Sequence, residues 1–197
     1  MNKNSVIVVC LILSLAINAF LLKMYFEGKH NQITLEKGII MNEFIEREKE
    51  LRNFRAFVGE LAAKDDEHIL ISEEQSNLHW LLAFRVQSVI MKVTYGIQAD
   101  YEHYDDYLGF IQEFDKEYMA IGNHFKSKLP LMTKEQLAAF ASRLDETYDL
   151  LMNKALRDWR ISRTDKKVDV RFEPHKDILN QVIHELTSIR EELEALE

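Results

Sequence analysis

Residues 5–22 of the chain read SVIVVCLILSLAINAFLL, a run of 18 residues without one charged side chain. Extended to Phe26 across the single charge of Lys23, the run is about 22 residues long, and a helix of that length rises about 33 Å. This rise covers the ~30 Å hydrocarbon core of a bilayer. We therefore expect residues 5–26 to form one transmembrane helix.

Two interpretations of this segment differ in what happens to it after synthesis. Residues 14–16, Ser-Leu-Ala, offer the small-residue pattern of a signal-peptide cleavage site. Cleavage there would leave the apolar residues 17–26 as a new N-terminus. The aromatic pair at 25–26 beside Lys23 is instead typical of side chains at a membrane interface. We favour an uncleaved signal-anchor, with residues 1–26 as the membrane anchor.

The remaining residues, 27–197, form an acidic domain. The chain has 25 Lys and Arg against 33 Asp and Glu, and residues 1–26 hold two lysines and no acid, so residues 27–197 carry a net charge of −10. A domain this acidic has no global attraction for nucleic acid, which needs a basic patch. The only cysteine, Cys10, lies in the apolar segment, so the domain forms no internal disulfide. No nucleic-acid partner is expected.

The charges that flank the apolar run bear on which side of the membrane residues 27–197 lie. Lys3 and the α-amino group precede the uncharged run 5–22, and Lys23, Lys29 and Lys37 follow it, so a count of positive charges does not favour a translocated C-terminus. A basic tail, an apolar run and a long hydrophilic domain are nevertheless the layout of an export signal left in place. We predict a single-pass protein of the cell membrane with residues 27–197 on the extracytoplasmic side. This layout is similar to that of many small bacterial single-pass proteins and implies no activity.

The fold class follows from the scarcity of turn residues. The chain has 6 glycines and 2 prolines, whereas a β-sandwich or barrel needs a turn every ~8–12 residues. With sheet-rich folds excluded, the expected fold class is all-α. Apolar residues at helical spacing predict five helices, at about 33–61, 72–97, 100–128, 133–155 and 174–196. Long helices joined by short loops favour antiparallel neighbours, hence an antiparallel bundle of four to five long helices after the transmembrane helix.

The first and fifth of these helices carry the most regular heptads. Their apolar positions are Ile33, Ile40, Phe44, Leu51, Phe54, Val58 and Leu61 in the first, and Ile178, Val182, Leu186, Ile189, Leu193 and Leu196 in the fifth. These stripes either close the intramolecular core or offer a surface for self-association or a partner helix. The first helix either continues directly from the transmembrane helix or is loosened from it at Gly28 and residues 31–34.

Short motifs mark several helix ends. Residues 72–75 (SEEQ) and 133–136 (TKEQ) match the S/T-x-x-Q capping box that precedes a helix. Pro130 is expected to end the third helix, and Pro174 to open the fifth from within its first turn. Residues 168–172 alternate apolar and charged side chains, so they form either a short extended piece or a polar loop.

The sequence carries no complete catalytic or metal-binding motif. A di-iron bundle needs Glu-x-x-His on two helices, and the pair Glu27 and His30 lies at the membrane junction without a second such pair. His184 and Glu185 begin the H-E-x-x-H zinc motif, but Ser188 stands where the second histidine is needed. We expect no enzymatic activity, no cofactor and no metal site.

Two charged segments are candidate docking surfaces. The acidic docking stripe consists of Glu102, Asp106, Glu113 and Glu117, which fall on one face of the third helix. Its like-charge i,i+4 pairs each cost about 0.2–0.5 kcal/mol unless a cation relieves them. The basic docking segment consists of Arg157, Arg160, Arg163, Lys166, Lys167 and Arg171. Either the stripe is a solvated surface, or the basic segment folds against it, or both dock onto another protein.

These features predict a non-enzymatic, membrane-anchored helical bundle that acts through protein–protein contacts, as a scaffold or assembly subunit at the cell envelope. Its partner would be another protein or a second copy of the chain. The alternative is an extracytoplasmic sensor or binding module whose bundle holds a small ligand or a cation. Trp80 and Trp159 are expected to pack inside the bundle in either case.

Overall fold

The computed structural model describes residues 3–63, 101–157, 159–164 and 167–196. Helix accounts for 85% of them, so the prediction of a mainly helical chain is confirmed. The four helices are α1 (Lys3–Ala63), α2 (Tyr104–Lys128), α3 (Lys134–Asp149) and α4 (Lys176–Glu194). The remaining elements are a 3-10 turn (Leu129–Leu131), a π-helical stretch (Leu150–Ala155) and the strands β1 (Arg160–Thr164) and β2 (Lys167–Arg171).

Helix α1 is uninterrupted over 61 residues, which makes it about 92 Å long. It passes through Gly28 and residues 31–34 without a break, because glycine and asparagine weaken a helix but, unlike proline, keep the backbone N–H that the helix needs. Near its N-terminus an 18-residue window has a mean hydropathy of 1.4 and no buried residue. This part of α1 is long and apolar enough to cross a membrane.

The second part of α1 lies in the core of the bundle. Its stripe is at most 1% exposed at Ile40, Phe44, Leu51, Phe54, Val58 and Leu61. The stripe of α4 is at most 2% exposed at Val182, Leu186, Ile189 and Leu193. Aromatic rings of α2 and α3 pack against α1. The ring centres of Phe125 and Phe140 lie 5.5 and 5.9 Å from the ring centre of Phe54. Both heptads therefore close the intramolecular core, and neither is free for a partner helix while the bundle is folded.

Helices α1, α2 and α4 run parallel to one another, and α3 runs antiparallel to them. For α1 and α2, the contacts that show this are Phe44 with Tyr107 and Phe54 with Phe125. For α2 and α4, they are Asp106 with Lys176 and Glu117 with Arg190. For α1 and α3, they are Glu48 with Tyr148 and Phe54 with Phe140. The predicted helix at 72–97, with its cap at 72–75 and Trp80, lies outside the described residues. Helices α3 and α4, of 16 and 19 residues, are shorter than the long helices predicted.

The start of α3 is the local prediction that the structure confirms atom by atom. The Thr133 hydroxyl accepts a hydrogen bond from the Gln136 backbone at 3.2 Å, and the Gln136 side chain accepts one from the Thr133 backbone at 2.8 Å. The start of α4 differs from the prediction. The helix begins at Lys176 with His175 as its N-cap, so Pro174 precedes the first turn. The Pro174 carbonyl accepts a hydrogen bond from the Tyr107 hydroxyl.

Strands β1 and β2 form an antiparallel hairpin in which Arg160 lies opposite Arg171 and Thr164 opposite Lys167. Residues 168–172 thus form an extended piece and not a polar loop. The prediction that Trp159 packs inside the bundle is wrong. Its side chain is 44% exposed, because it lies at the base of the hairpin, outside the ring of helices.

Gly109 offers a test of the helical assignment of α2. A Cβ atom at this position would meet nothing within 4 Å, so we expect Gly109→Ala to raise the free energy of unfolding by up to ~1 kcal/mol, since alanine loses less backbone entropy than glycine. Thermal unfolding of the full chain in detergent, followed by circular dichroism, measures the change. Gly109→Pro is the opposite control and should lower the midpoint. A lower midpoint for Gly109→Ala would contradict the assignment.

Candidate functional site

A charged residue sits in the apolar stripe of α1. Arg47 is 3% exposed, and its Nε and Nη2 atoms donate to the two carboxylate oxygens of Asp115 on α2, at 3.1 and 2.6 Å. Its Nη1 atom donates to the carboxylate of Glu43 and, at 3.1 Å, to the Glu43 carbonyl. Paired arginine–carboxylate bonds of this kind have a fixed geometry. Arg47 therefore favours one register between α1 and α2, although in the sequence it only interrupts an apolar heptad.

Two further acidic side chains of α1 are buried and hydrogen-bonded. Glu36 accepts from the backbone N–H of Tyr101 at 2.7 Å, and Glu48 accepts from the Tyr148 hydroxyl of α3 at 2.8 Å. Because a buried carboxylate without partners is costly, each contact favours one rotation of α1 about its axis. Helix α1 is thus held by polar contacts on the faces that look toward α2 and α3.

A cleft of about 750 Å³ lies at the end of the bundle nearest to the apolar segment of α1. Its walls come from α1 at Ile33 and Lys37, from the start of α2 and from the residues before α4. Ile33 follows Phe26 by 7 residues, a distance of about 10 Å along the helix. The cleft therefore opens close to the end of the apolar segment.

Two tyrosines line the cleft with their hydroxyls turned to the backbone. Tyr101 donates to the Phe172 carbonyl at 2.9 Å and Tyr107 donates to the Pro174 carbonyl at 3.2 Å. Burial raises the pKa of Tyr101 well above its usual value, with a further contribution from Tyr107, and burial also raises the pKa of Tyr107. Both side chains are neutral donors at physiological pH. They fix the segment before α4 against α2.

Charged groups of both signs meet in the cleft. The Lys37 ammonium lies 5.2 Å from the centre of the Tyr101 ring, within the range of a cation–π contact. Glu102 and Glu173 supply carboxylates at its rim, and His103 supplies an imidazole. Among the described residues, no group of three His, Cys, Asp or Glu side chains is arranged to hold a metal ion. The cleft can hold a small polar molecule through groups of both charges.

Two members of the acidic docking stripe contact α4. Asp106 accepts a hydrogen bond from the Lys176 ammonium at 2.5 Å, which lowers the pKa of Asp106 and raises the pKa of Lys176. Glu117 is 4% exposed and accepts from Arg190 Nε at 2.7 Å. These two carboxylates join α2 to α4, Glu117 from the interior of the bundle and Asp106 at its surface.

The other two members of the stripe, Glu102 and Glu113, are exposed and have no ion pair with α4 among the described residues. Glu102 lies in the turn before α2, and Glu113 lies on α2 itself, where Lys116 approaches it at 3.2 Å. The described cations that meet the stripe come from α2 and α4, and none of them belongs to the basic docking segment. The structure therefore does not place the two charged segments against each other within the residues it describes.

The basic docking segment comprises residues of the hairpin together with Arg157, which lies three residues before β1. Its four described side chains are all exposed, and they are Arg157, Arg160, Arg163 and Arg171. Lys166 and the side chain of Lys167 lie outside what the structure describes. Within the described part of the chain, none of the four arginines has a carboxylate at ion-pair distance. With four exposed arginines against the exposed Asp169 of β2, the described side chains of this segment are net positive on an acidic domain.

Comparison with known proteins assigns no function to this chain. It matches no protein-family model and shows no significant similarity to a curated protein or to a solved structure. Function is therefore inferred from the geometry of the described residues.

The role of Arg47 in the packing of α1 can be measured. We expect Arg47→Met to lower the free energy of unfolding by ~3 kcal/mol, because it removes the buried cation that two partly buried carboxylates contact. Lys49→Met is the matched control, since Lys49 pairs with Glu46 at the surface and such pairs contribute less than ~1 kcal/mol. Denaturant titration of the full chain in detergent compares them. Equal losses in the two variants would contradict the role of Arg47.

The pair of Asp106 and Lys176 predicts a dependence on pH. Because the pKa of Asp106 is lowered from its ordinary 3.8, its carboxylate stabilises the fold above about pH 4 and loses that contribution as the pH falls through the lowered value. In Lys176→Met the pKa of Asp106 should rise toward 3.8, since the largest cause of its shift is gone. Nuclear magnetic resonance titration of the carboxyl carbon measures this value. An unchanged pKa would show that the ion pair does not form.

Proposed function

We propose that the chain is a non-enzymatic, membrane-anchored helical bundle that acts through protein–protein contacts, as a scaffold or an assembly subunit at the cell envelope. The continuity of α1 is the observation that carries this proposal. One helix supplies both the exposed apolar segment and the central stripe of the bundle core. A domain mounted on such a helix keeps a fixed height and orientation above the membrane, which suits a component of an assembly.

The proposed topology places the apolar segment across the membrane once, with residues 27–197 on the extracytoplasmic side. A basic tail followed by an apolar run is the layout that supports this choice. The side chains between Leu11 and Phe26 are exposed, most of the large apolar ones by more than half, and a contiguous apolar surface of this size marks a contact with lipid or protein.

The proposed contacts with partners fall on the outside of the bundle. The heptads of α1 and α4 are used in the core, which leaves the charged outer surfaces as the candidates. Among these, the basic docking segment is favoured because its four described arginines are exposed and have no carboxylate partner among the described residues. Exposed Glu102 and Glu113 are the remaining candidates of the acidic docking stripe.

A second function is favoured by the cleft near the apolar segment. In this proposal the chain is an extracytoplasmic sensor or binding module that holds a small ligand or a cation. Lys37 of α1 faces Tyr101 across the cleft, so a ligand that displaced this contact would act directly on the helix that enters the membrane. Such a module would pass its signal to a partner protein.

Crosslinking and pull-down of the tagged full chain from native membranes test the leading proposal. We expect recovery of one defined protein partner or of a defined oligomer. A fusion of residues 1–26 to an unrelated soluble domain is the control, and it identifies proteins that are captured through the anchor alone. Recovery of the intact chain without any partner or oligomer would contradict the leading function.

The cleft is tested by thermal unfolding of the purified full chain with small metabolites and with divalent cations, each added alone. A ligand of the cleft should raise the unfolding midpoint, because it binds only the folded state. Lys37→Met should remove that rise and Lys49→Met should keep it. A rise that is equal in both variants would contradict binding in the cleft.

A further inference from the structure

The hairpin has an open edge. The sheet contains two strands in the order β1–β2, so β1 is paired on one side only within the described part of the chain. The backbone groups of its other edge can form a ladder with one more strand. A strand from another protein can bind by adding to such an edge, with main-chain hydrogen bonds for affinity and side-chain contacts for specificity.

Two large apolar side chains extend beyond the bundle next to this edge. Residues directly opposite each other in a hairpin share a face, and Ile161 lies opposite Val170. Val170 and Phe172 are 7% and 1% exposed, so this face packs on the bundle, yet Ile161 is 50% and Trp159 is 44% exposed. The spacing of two residues between Trp159 and Ile161 matches that of side chains on one face of an extended partner.

Positive charges outnumber negative ones around the edge: Arg160, Arg163 and Arg171 are exposed, against the one exposed acid of the described strand residues, Asp169. Arg160 and Arg171 lie directly opposite each other, and like charges in that position destabilise a hairpin. Arg163 adds a third exposed charge on β1. Two copies of this edge would repel each other, so strand pairing between identical copies is disfavoured. A partner strand with carboxylates would relieve the repulsion.

We propose that the outer edge of β1 binds an extended acidic segment of a partner protein by strand addition. The backbone of the segment pairs with β1, its carboxylates contact Arg160 and Arg171, and its apolar side chains cover Trp159 and Ile161. This inference rests on the proposed function through protein contacts, for which it names the surface and the chemistry of the partner.

The position of the hairpin favours a peptide over a membrane surface. The base of the hairpin packs on α1 through Phe172 and Phe44, whose rings are 5.2 Å apart. Phe44 follows Phe26 by 18 residues, about 27 Å along the helix, whereas the field of charged headgroups decays over ~8 Å at physiological ionic strength. A lipid surface also offers no main-chain groups to the open edge.

The test uses the full chain in nanodiscs of phosphatidylcholine and two labelled peptides, Glu-Val-Glu-Val-Glu-Val-Glu and the same peptide N-methylated at its fourth and fifth residues. The two have equal charge and equal side chains, and since successive residues of a strand point their N–H groups to opposite edges, one of the two methyl groups removes a ladder hydrogen bond in either register. Fluorescence anisotropy should show at least tenfold weaker binding of the N-methylated peptide. Hydrogen exchange should show new protection of the β1 amides only with the first peptide. Equal binding of both peptides, or no protection of β1, would overturn strand addition.

Charge reversal locates the site. Arg160→Glu with Arg171→Glu should weaken binding of the first peptide at least tenfold, and the matched pair Lys134→Glu with Lys154→Glu, exposed elsewhere, should leave it within twofold. An unchanged unfolding midpoint shows that the hairpin variant is folded. Equal losses in both double variants would overturn the assignment to the hairpin. Should the hairpin variant fail to fold, Trp159→Ala replaces it, with the same expected loss.

Two outcomes separate this inference from the proposed function. If the hairpin variant still captures the same partner from native membranes, the docking surface lies elsewhere and the inference fails while the proposed function stands. If the unaltered chain captures no partner, the proposed function fails as well. Nanodiscs that contain phosphatidylglycerol test the membrane alternative, since β1 protection by these lipids in the absence of peptide would overturn the proposal of a protein partner.

Discussion

Helix α1 has to suit two surroundings along one continuous backbone, and the rest of the described structure depends on this constraint. Its N-terminal part is apolar on all sides and exposed, whereas its later part is apolar on one stripe that α2, α3 and α4 cover. A helix without proline has no local reason to break between the two parts. The position of every other described element is therefore set relative to a rod that begins in the apolar segment.

Buried polar groups determine how the other helices attach to this rod. Apolar stripes drive burial without much preference for register, because hydrophobic contacts are not directional. The buried side chains of Arg47, Glu36 and Glu48 favour one arrangement of the neighbouring helices, because the hydrogen bonds that they form are directional. The ion pair of Arg190 with the buried Glu117 then joins α2 to α4 in the same register.

The sequence predicted the features that depend on neighbouring residues. The apolar spacing of α2 and α4 and the capping box at Thr133 are local patterns, and the structure reproduces them. The role of Arg47 could not be predicted, because its partner Asp115 lies 68 residues away along the chain. A charge inside an apolar stripe has the same appearance in the sequence whether it is a defect or a buried ion pair.

The candidate sites were predictable in part for the same reason. Exposure of the basic docking segment follows from its composition, but its hairpin rests on an alternation of only five residues, which is too short to exclude a loop. Which members of the acidic docking stripe form ion pairs with α4, as Asp106 and Glu117 do, depends on where α4 lies. The cleft combines three segments distant in sequence, and no local pattern marks it.

The central claim, that one rigid helix joins the apolar segment to the core, is tested most directly by a distance across residues 28–34. Spin labels at positions 17 and 42, introduced into the full chain after Cys10→Ser, lie on the same side of a continuous helix and 25 residues apart, hence about 38 Å. Pulsed electron resonance in nanodiscs should give a single narrow distribution at that distance. A broad distribution, or a centre shorter by more than about 5 Å, well outside the rise of a straight helix, would contradict the account.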